Sequence, residues 1–139
     1  MNNNFYLGID FGTKKTGIAI AQEITKESRP LKIIYNDYIN KIQEIILEWN
    51  ITKIVVGFPH HKEEGQIHSE IKSFTNELIK TINPNIEVIL FNEYLSSNNA
   101  KKKFTEMRKH RLTKKKKSDY DDISASIILQ SWINENIMD

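Results

Sequence analysis

The sequence predicts an α/β domain built on a five-stranded mixed sheet, a three-strand antiparallel meander plus two parallel strands, flanked by helices. Three observations predict it. Short β-branched runs open the chain and are separated by glycine- and proline-bearing turns. From Ile39 onward the apolar period lengthens to that of amphipathic helices, and these alternate with two further apolar runs. The resulting order, three strands and then alternating helix and strand, is that of a sheet with parallel members joined by helical crossovers.

The first strand and turn run from Phe5 through Gly8, Asp10 and Gly12 to Gly17 and Ala21, a hairpin whose first strand closes on a carboxylate. A carboxylate ending a buried strand needs a cation, backbone N–H groups or a metal to balance its charge, or it caps the turn through its side chain. The residues alone leave Asp10 between these roles. Gln22 to Pro30 is polar and reads as a loop, and Ile33-Ile34-Tyr35 reads as the short third strand.

Ile39, Ile42, Ile45, Ile46 and Trp49 recur at helical spacing up to Asn50, which ends that helix. Ile51 to Phe58 is a strand whose continuous apolarity from Ile54 predicts burial on both faces. The loop after Pro59 contains His60 and His61, an exposed pair rather than a metal site. Residues 67 to 82 form a second amphipathic helix, broken by Asn83-Pro84-Asn85. Ile86 to Phe91 is the fifth strand, running into Asn92 and Glu93, so it too closes on an acid.

Ser96 and Ser97 can cap a helix from Asn98 to about Arg108, and Lys109 to Lys117 has no apolar period. The last helix starts near Ser118 and carries Ile123, Ala125, Ile128, Leu129, Trp132 and Ile133. Asp121 shares a face with Ala125, Ile128 and Trp132 and so points coreward, although Ser118 to Asp121 also fits a capping box.

The 139 residues fit one domain over 1–139, large enough for its own core. With no cysteine, disulfides and thiolate metal sites are excluded. A polar Met1-Asn2-Asn3-Asn4 opening and no apolar run near the roughly 18 residues of a membrane span lead to the expectation of a soluble cytoplasmic protein. Residues 101–117 hold ten Lys and Arg against one acid, +9, while the remainder has ten bases against seventeen acids, −7. Such clustering is the footprint of a polyanion binder. Lys101, Lys102, Arg108, Arg111 and Lys114, Lys115, Lys116 and Lys117 are therefore candidate nucleic-acid contacts, with Lys14 or Lys15 of the first turn steadying a phosphate.

If strands one, four and five are parallel neighbours, their carboxyl ends share an edge, where sites of open α/β sheets lie. Carboxylates gathered there repel unless divalent cations balance them, and oxygen ligands select Mg²⁺ or Mn²⁺. Two such ions about 4 Å apart can activate a water and stabilise the leaving oxygen in phosphodiester hydrolysis.

The run Gly8-Ile9-Asp10-Phe11-Gly12-Thr13 to Ala19, then Ser28-Arg29-Pro30-Leu31, Val56-Gly57-Phe58-Pro59, Glu93 with Leu95-Ser96-Ser97, and Asp121-Asp122-Ile123 to Leu129 resembles, in order, the motifs of the YqgF (RuvX) family over nearly the whole chain. The resemblance implies a ribonuclease-H-like fold, a Holliday-junction-resolvase-like nuclease, and a role in maturing the 5′ end of the precursor of the small-subunit (16S) ribosomal RNA. By the same resemblance Asp10, Glu93 and Asp121 are the acidic triad that holds the metal ions. Asn92, Tyr94 and Asn99 depart from the family's usual residues, as does the loop from His60 to Gly65, and these changes bear on substrate grip and metal stoichiometry. Two other classes remain in view. Asp10-Phe11-Gly12-Thr13 is similar to a phosphate loop of actin-like ATPases, but the chain has room for one of their two domains; the second class is a non-catalytic nucleic-acid binder. The expected partner is precursor ribosomal RNA or branched DNA, bound by a monomer or homodimer.

Overall fold

A computed structural model describes residues 3–59, 65–92 and 121–137. The strands are β1 (Phe5–Asp10), β2 (Thr16–Gln22), β3 (Ser28–Ile34), β4 (Ile51–Phe58) and β5 (Glu87–Asn92); the helices are α1 (Tyr38–Trp49), α2 (Gln66–Thr81) and α3 (Asp121–Asn136). The sheet order is β3-β2-β1-β4-β5. β1 pairs antiparallel with β2, from Phe5 opposite Gln22 to Asp10 opposite Gly17, and β2 pairs antiparallel with β3. β1 and β4 are parallel, as are β4 and β5. The expected mixed sheet is therefore the observed one.

The third strand is longer than its apolar core suggested. Ser28 to Pro30, expected in a loop, belongs to β3, while Tyr35 lies beyond it. A proline has no N–H for a ladder, so it is tolerated only at an edge or a bulge. Pro30 has both: β3 is an edge strand, and the β2–β3 register slips between Ile18 opposite Lys32 and Ala19 opposite Pro30. Asn50 ends α1 as expected, adopting φ 53° and donating its N–H to the Ile46 carbonyl.

The two faces of the sheet differ in depth. Leu7, Ile9, Ile18, Ile20, Ile54 and Val56 form one core with Ile42 and Ile45 of α1 and Ile71, Phe74 and Leu78 of α2. On the other face Tyr6, Ala19, Ala21 and Val55 pack against Ala125, Ile128, Leu129, Trp132 and Ile133 of α3. The alternation along β1 and β4 is what burial on both faces requires. Small residues on the α3 side let that helix come close. At Gly8 an added Cβ would lie 2.7 Å from the Leu129 Cβ and 2.8 Å from the Ala125 carbonyl oxygen.

Further along α3, Trp132 meets Tyr6 edge to face, with 5.7 Å between ring centroids. As α3 advances from Ala125 to Trp132 its partners on β1 retreat from Gly8 to Tyr6, so the helix runs antiparallel to β1. Burial, reinforced by Glu23 and opposed by Lys53, raises the Tyr6 phenol above its ordinary value, so it stays neutral under this helix.

A partly buried polar seam ties α3 to β3. The Ser28 N–H donates to Gln130 Oε1 at 2.9 Å, the Ser28 hydroxyl donates to the Ser126 carbonyl at 2.7 Å, and Gln130 Nε2 donates to the Lys26 carbonyl at 3.0 Å. Since the atoms at Gly8 include helix backbone, Gly8→Ala cannot be absorbed by a rotamer change. We expect it to cost about 1–3 kcal/mol in urea unfolding; unchanged stability would mean that α3 does not sit on Gly8.

Candidate active site

Parallel β1, β4 and β5 bring their carboxyl ends to one edge of the sheet. Asp10 is the half-buried last residue of β1. Ile9 lies opposite Val56 and Val56 opposite Leu90, so Asp10 is level with Gly57 and Phe91, and Asn92, opposite Phe58, ends β5 one residue further on. Asp10 shares its parity along β1 with Tyr6 and Gly8, hence the sheet face covered by α3.

The first residue of α3 is Asp121. From Ala125, over Gly8, the helix start lies one turn back, about 6 Å along the axis. From Gly8, Asp10 lies two strand residues forward, about 7 Å. Because α3 and β1 are antiparallel, these displacements have the same direction. The start of α3 and the end of β1 therefore meet at the same edge.

The turn between β1 and β2 is built to hold its shape. The Gly12 N–H donates to Thr16 Oγ1 at 3.3 Å, and the fully buried Thr16 hydroxyl donates back to the Gly12 carbonyl at 3.3 Å. A Cβ at Gly12 would collide with the Lys15 carbonyl oxygen, which explains the glycine by close approach rather than by dihedral angle. Phe11 stacks on Phe74 with centroids 4.7 Å apart and meets the edge of Tyr38 at 5.9 Å, while the Tyr38 hydroxyl donates to the Thr13 carbonyl at 3.3 Å. Lys14 is exposed and Lys15 half-buried on this anchored turn, beside the end of β1.

Another residue at this edge was not singled out in the sequence. His68, buried on α2, accepts the Gly65 N–H at Nδ1 (2.9 Å), and its Nε2 lies 2.8 Å from the Pro59 carbonyl. An amide N–H can only donate, so Nδ1 is unprotonated and Nε2–H is the donor to Pro59. The imidazole thus joins Pro59, just past β4, to Gly65, just before α2. Its position three residues after Gly65, at a helix start, was the available signal.

Glu93, Lys101, Lys102, Arg108, Arg111 and Lys114, Lys115, Lys116 and Lys117 lie outside the described residues, as do His60, His61 and the helix expected from Asn98 to Arg108. Glu93 directly follows Asn92, the last residue of β5 at the same edge.

Strand order 3-2-1-4-5, with α3 laid antiparallel upon the central strand, is the ribonuclease-H-like arrangement. Solved structures agree on the fold. Thermus thermophilus RuvC in complex with a Holliday junction substrate matches with a TM-score of 0.68 over 96% of each chain at 9% identity. The fowlpox virus resolvase in complex with Holliday junction DNA matches at 0.57 over 96% of this chain and 99% of that one, at 16% identity. Within that class the chain belongs to the RuvX family, described as Holliday junction resolvase, whose profile spans residues 4–135.

Sequence relatives extend over nearly the same length. One from Mycoplasma mobile is 38% identical over 136 residues, covering 92% of this chain and 90% of the relative. One from Malacoplasma penetrans is 37% identical over 138 residues, 94% of each, and one from Sulfurihydrogenibium is 34% identical over 132 residues, 92% of this chain and 88% of the relative. All three carry the name "Putative pre-16S rRNA nuclease".

His68→Phe keeps a ring beside Phe58 but removes both hydrogen bonds, stranding the Gly65 N–H and the Pro59 carbonyl. Thermal unfolding should show a loss of about 1–3 kcal/mol; no loss would show that the imidazole does not hold these two residues.

Proposed function

We propose that the chain is a divalent-cation-dependent phosphodiesterase on structured nucleic acid, and that its substrate is the 5′ region of the precursor of the small-subunit ribosomal RNA. The observation that carries this reading is the meeting of the end of β1, at Asp10, with the start of α3, at Asp121, on the carboxyl edge of the sheet. The relatives' shared name supports the choice of RNA, and the junction-bound structural neighbours keep a four-way DNA junction as the alternative substrate.

The donor set fits the implied metal. The chain has no thiol, and carboxylates such as that of Asp10 at the end of β1 are hard oxygen donors, which select Mg²⁺ or Mn²⁺. Asp10 and Asp121, joined by Glu93 after β5, are the residues we assign to hold it. When bound, such ions lower the pKa of a water and neutralise the charge that builds on the departing oxygen.

The chain's own groups then have separate tasks. Asp10 stands on a central strand and keeps its place while substrate is handled, since β1 is paired on both sides. Lys14 and Lys15 offer point charges for a non-bridging phosphate oxygen, and the Phe11, Tyr38 and Thr16 contacts fix the turn that carries them. The basic residues of 101–117 gather the polyanion without reading its sequence. In the net reaction water adds to phosphorus, one ester oxygen leaves, and a proton passes to that oxygen.

The experiment is cleavage of end-labelled ribosomal RNA precursor and of a four-way DNA junction, in Mn²⁺, Mg²⁺ or EDTA, beside folded Asp10→Asn. We expect cutting of the RNA precursor that needs the cation and falls at least about a hundredfold in the variant. Binding of Asp10→Asn should stay equal or tighten, because one charge that repels phosphate is gone. Cutting of the junction alone would move the role to DNA, and tight binding without cutting of either would favour the non-catalytic binder.

Replacing Lys114 to Lys117 by serine should weaken binding and reduce the slope of log affinity against log salt, by about 0.7–0.9 for each phosphate that the variant no longer neutralises. An unchanged slope would remove the basic segment from the binding surface.

A further inference from the structure

The face of the sheet opposite α3 carries a feature that phosphodiester cleavage does not use. α1 and α2 descend side by side from the carboxyl edge and leave an open groove of about 710 Å³ between them. Its floor is aromatic, from Phe11, Tyr38 and Phe74, and its walls carry three carboxylates, Asp37, Glu70 and Glu77. Among the described residues that line it there is no Lys, Arg or His. The hydrogen bonds to two of these acids are with neutral amides, Asn40 for Asp37 and Gln66 for Glu70, so their charge is not cancelled there.

The groove continues past Thr81, where Gln43 Nε2 donates to the Thr81 carbonyl, into a second hollow bordered by Ile46, Leu47 and Ile82. Leu47 is 85% exposed, a large apolar side chain left in water at that end. The helix that forms one wall has 12 residues, about 18 Å, enough for a five- or six-residue extended segment. An acidic, aromatic-floored end followed by an apolar end selects a ligand that is cationic over most of its length and apolar at one point.

We propose that this groove docks a basic polypeptide segment of a protein partner, its Lys or Arg side chains meeting Asp37, Glu70 and Glu77 and an apolar side chain covering Leu47. Nucleic acid does not fit, because its phosphates would face three carboxylates. Arginine suits the floor, since its guanidinium stacks on aromatic faces as it pairs with acids. The site also touches the catalytic edge: Phe11, part of its floor, directly follows Asp10 and anchors the turn of Lys14 and Lys15. A seated partner would brace that turn from behind.

The test is a binding measurement, so it stands whether or not the chain cuts nucleic acid. The probe is a fluorescein-labelled hexapeptide of five lysines and one leucine, followed by anisotropy with the full chain, beside the same peptide with glutamate for lysine. We expect the lysine peptide to bind and the glutamate peptide not to. The double variant Glu70→Gln, Glu77→Gln should weaken binding by about fivefold or more, while Glu44→Gln, Glu48→Gln, exposed on α1 but outside the groove, should leave it within about twofold. Leu47→Ser should weaken it independently of salt. Equal losses in the two double variants would reduce the binding to general attraction by an acidic surface and overturn the proposal. Sedimentation showing that the wild type self-associates, and that Glu70→Gln, Glu77→Gln abolishes it, would overturn it in favour of a second copy of this chain.

Discussion

The close seating of α3 on Gly8 governs the rest of the molecule. Where the helix carbonyl of Ala125 and the side chain of Leu129 fill the space a Cβ would take, helix and strand are locked in depth and in register along β1. The locking has a chemical consequence because the two run antiparallel. One turn back along the helix and two residues forward along the strand lead to the same edge, and an acid stands at each backbone position. Ala19 and Ala21 on β2 keep the same face shallow, and the Ser28, Ser126 and Gln130 hydrogen bonds hold the far side of the helix to β3. Packing therefore sets the spacing of the acids more than any local motif does.

Around that fixed pair the supports come from the other core. Phe11 leaves β1 immediately after Asp10 and turns to the α1/α2 side, where Phe74 and Tyr38 hold its ring. His68 joins the residues flanking the loop after β4. The carboxyl edge is thus braced from both layers. Charge is also unevenly distributed: the carboxylates between α1 and α2 would repel a polyanion, while in the sequence the positive charge is concentrated in residues 101–117. On the proposals above, this uneven charge keeps nucleic acid off the α1/α2 groove and suits that groove to a cationic partner.

Much of the fold was legible because it is written locally. Alternating and helical periods gave each described element within a few residues, and Asn50 and Pro84 marked ends that the backbone has. Parallel pairing of β1, β4 and β5 entered the sequence reading only as a condition, because no residue specifies which strands are neighbours; the structure meets that condition. Ser28 to Pro30 misled because a proline ordinarily breaks a ladder, and only the edge position and the bulge, which are tertiary facts, admit it. Ser126, Gln130 and His68 went unnoticed for related reasons. The partners of Ser126 and Gln130 are about a hundred residues away in sequence, and the contact of His68 with Pro59 crosses a loop. Asp10 ends β1 and Asp121 opens α3, so their backbone positions come from the fold as well as from the motifs, whereas Glu93 lies outside the described residues and rests on the family resemblance and on its position after Asn92. The groove had no signature in the sequence, since it arises from the distance between two helices.

Paramagnetic broadening by Mn²⁺ in amide-resolved NMR spectra of the full chain reads the cation site without requiring a substrate. If the acids at the ends of β1 and β5 and the start of α3 hold the cation, amides at Asp10, Phe11, Gly57, Asn92 and Ile123 should broaden first. Those at Gln22, Ile51, Glu87 and Ile133, at the opposite edge, should be spared, and Asp10→Asn should abolish the pattern. Broadening centred elsewhere, or unchanged in Asp10→Asn, would contradict a metal centre at the carboxyl edge.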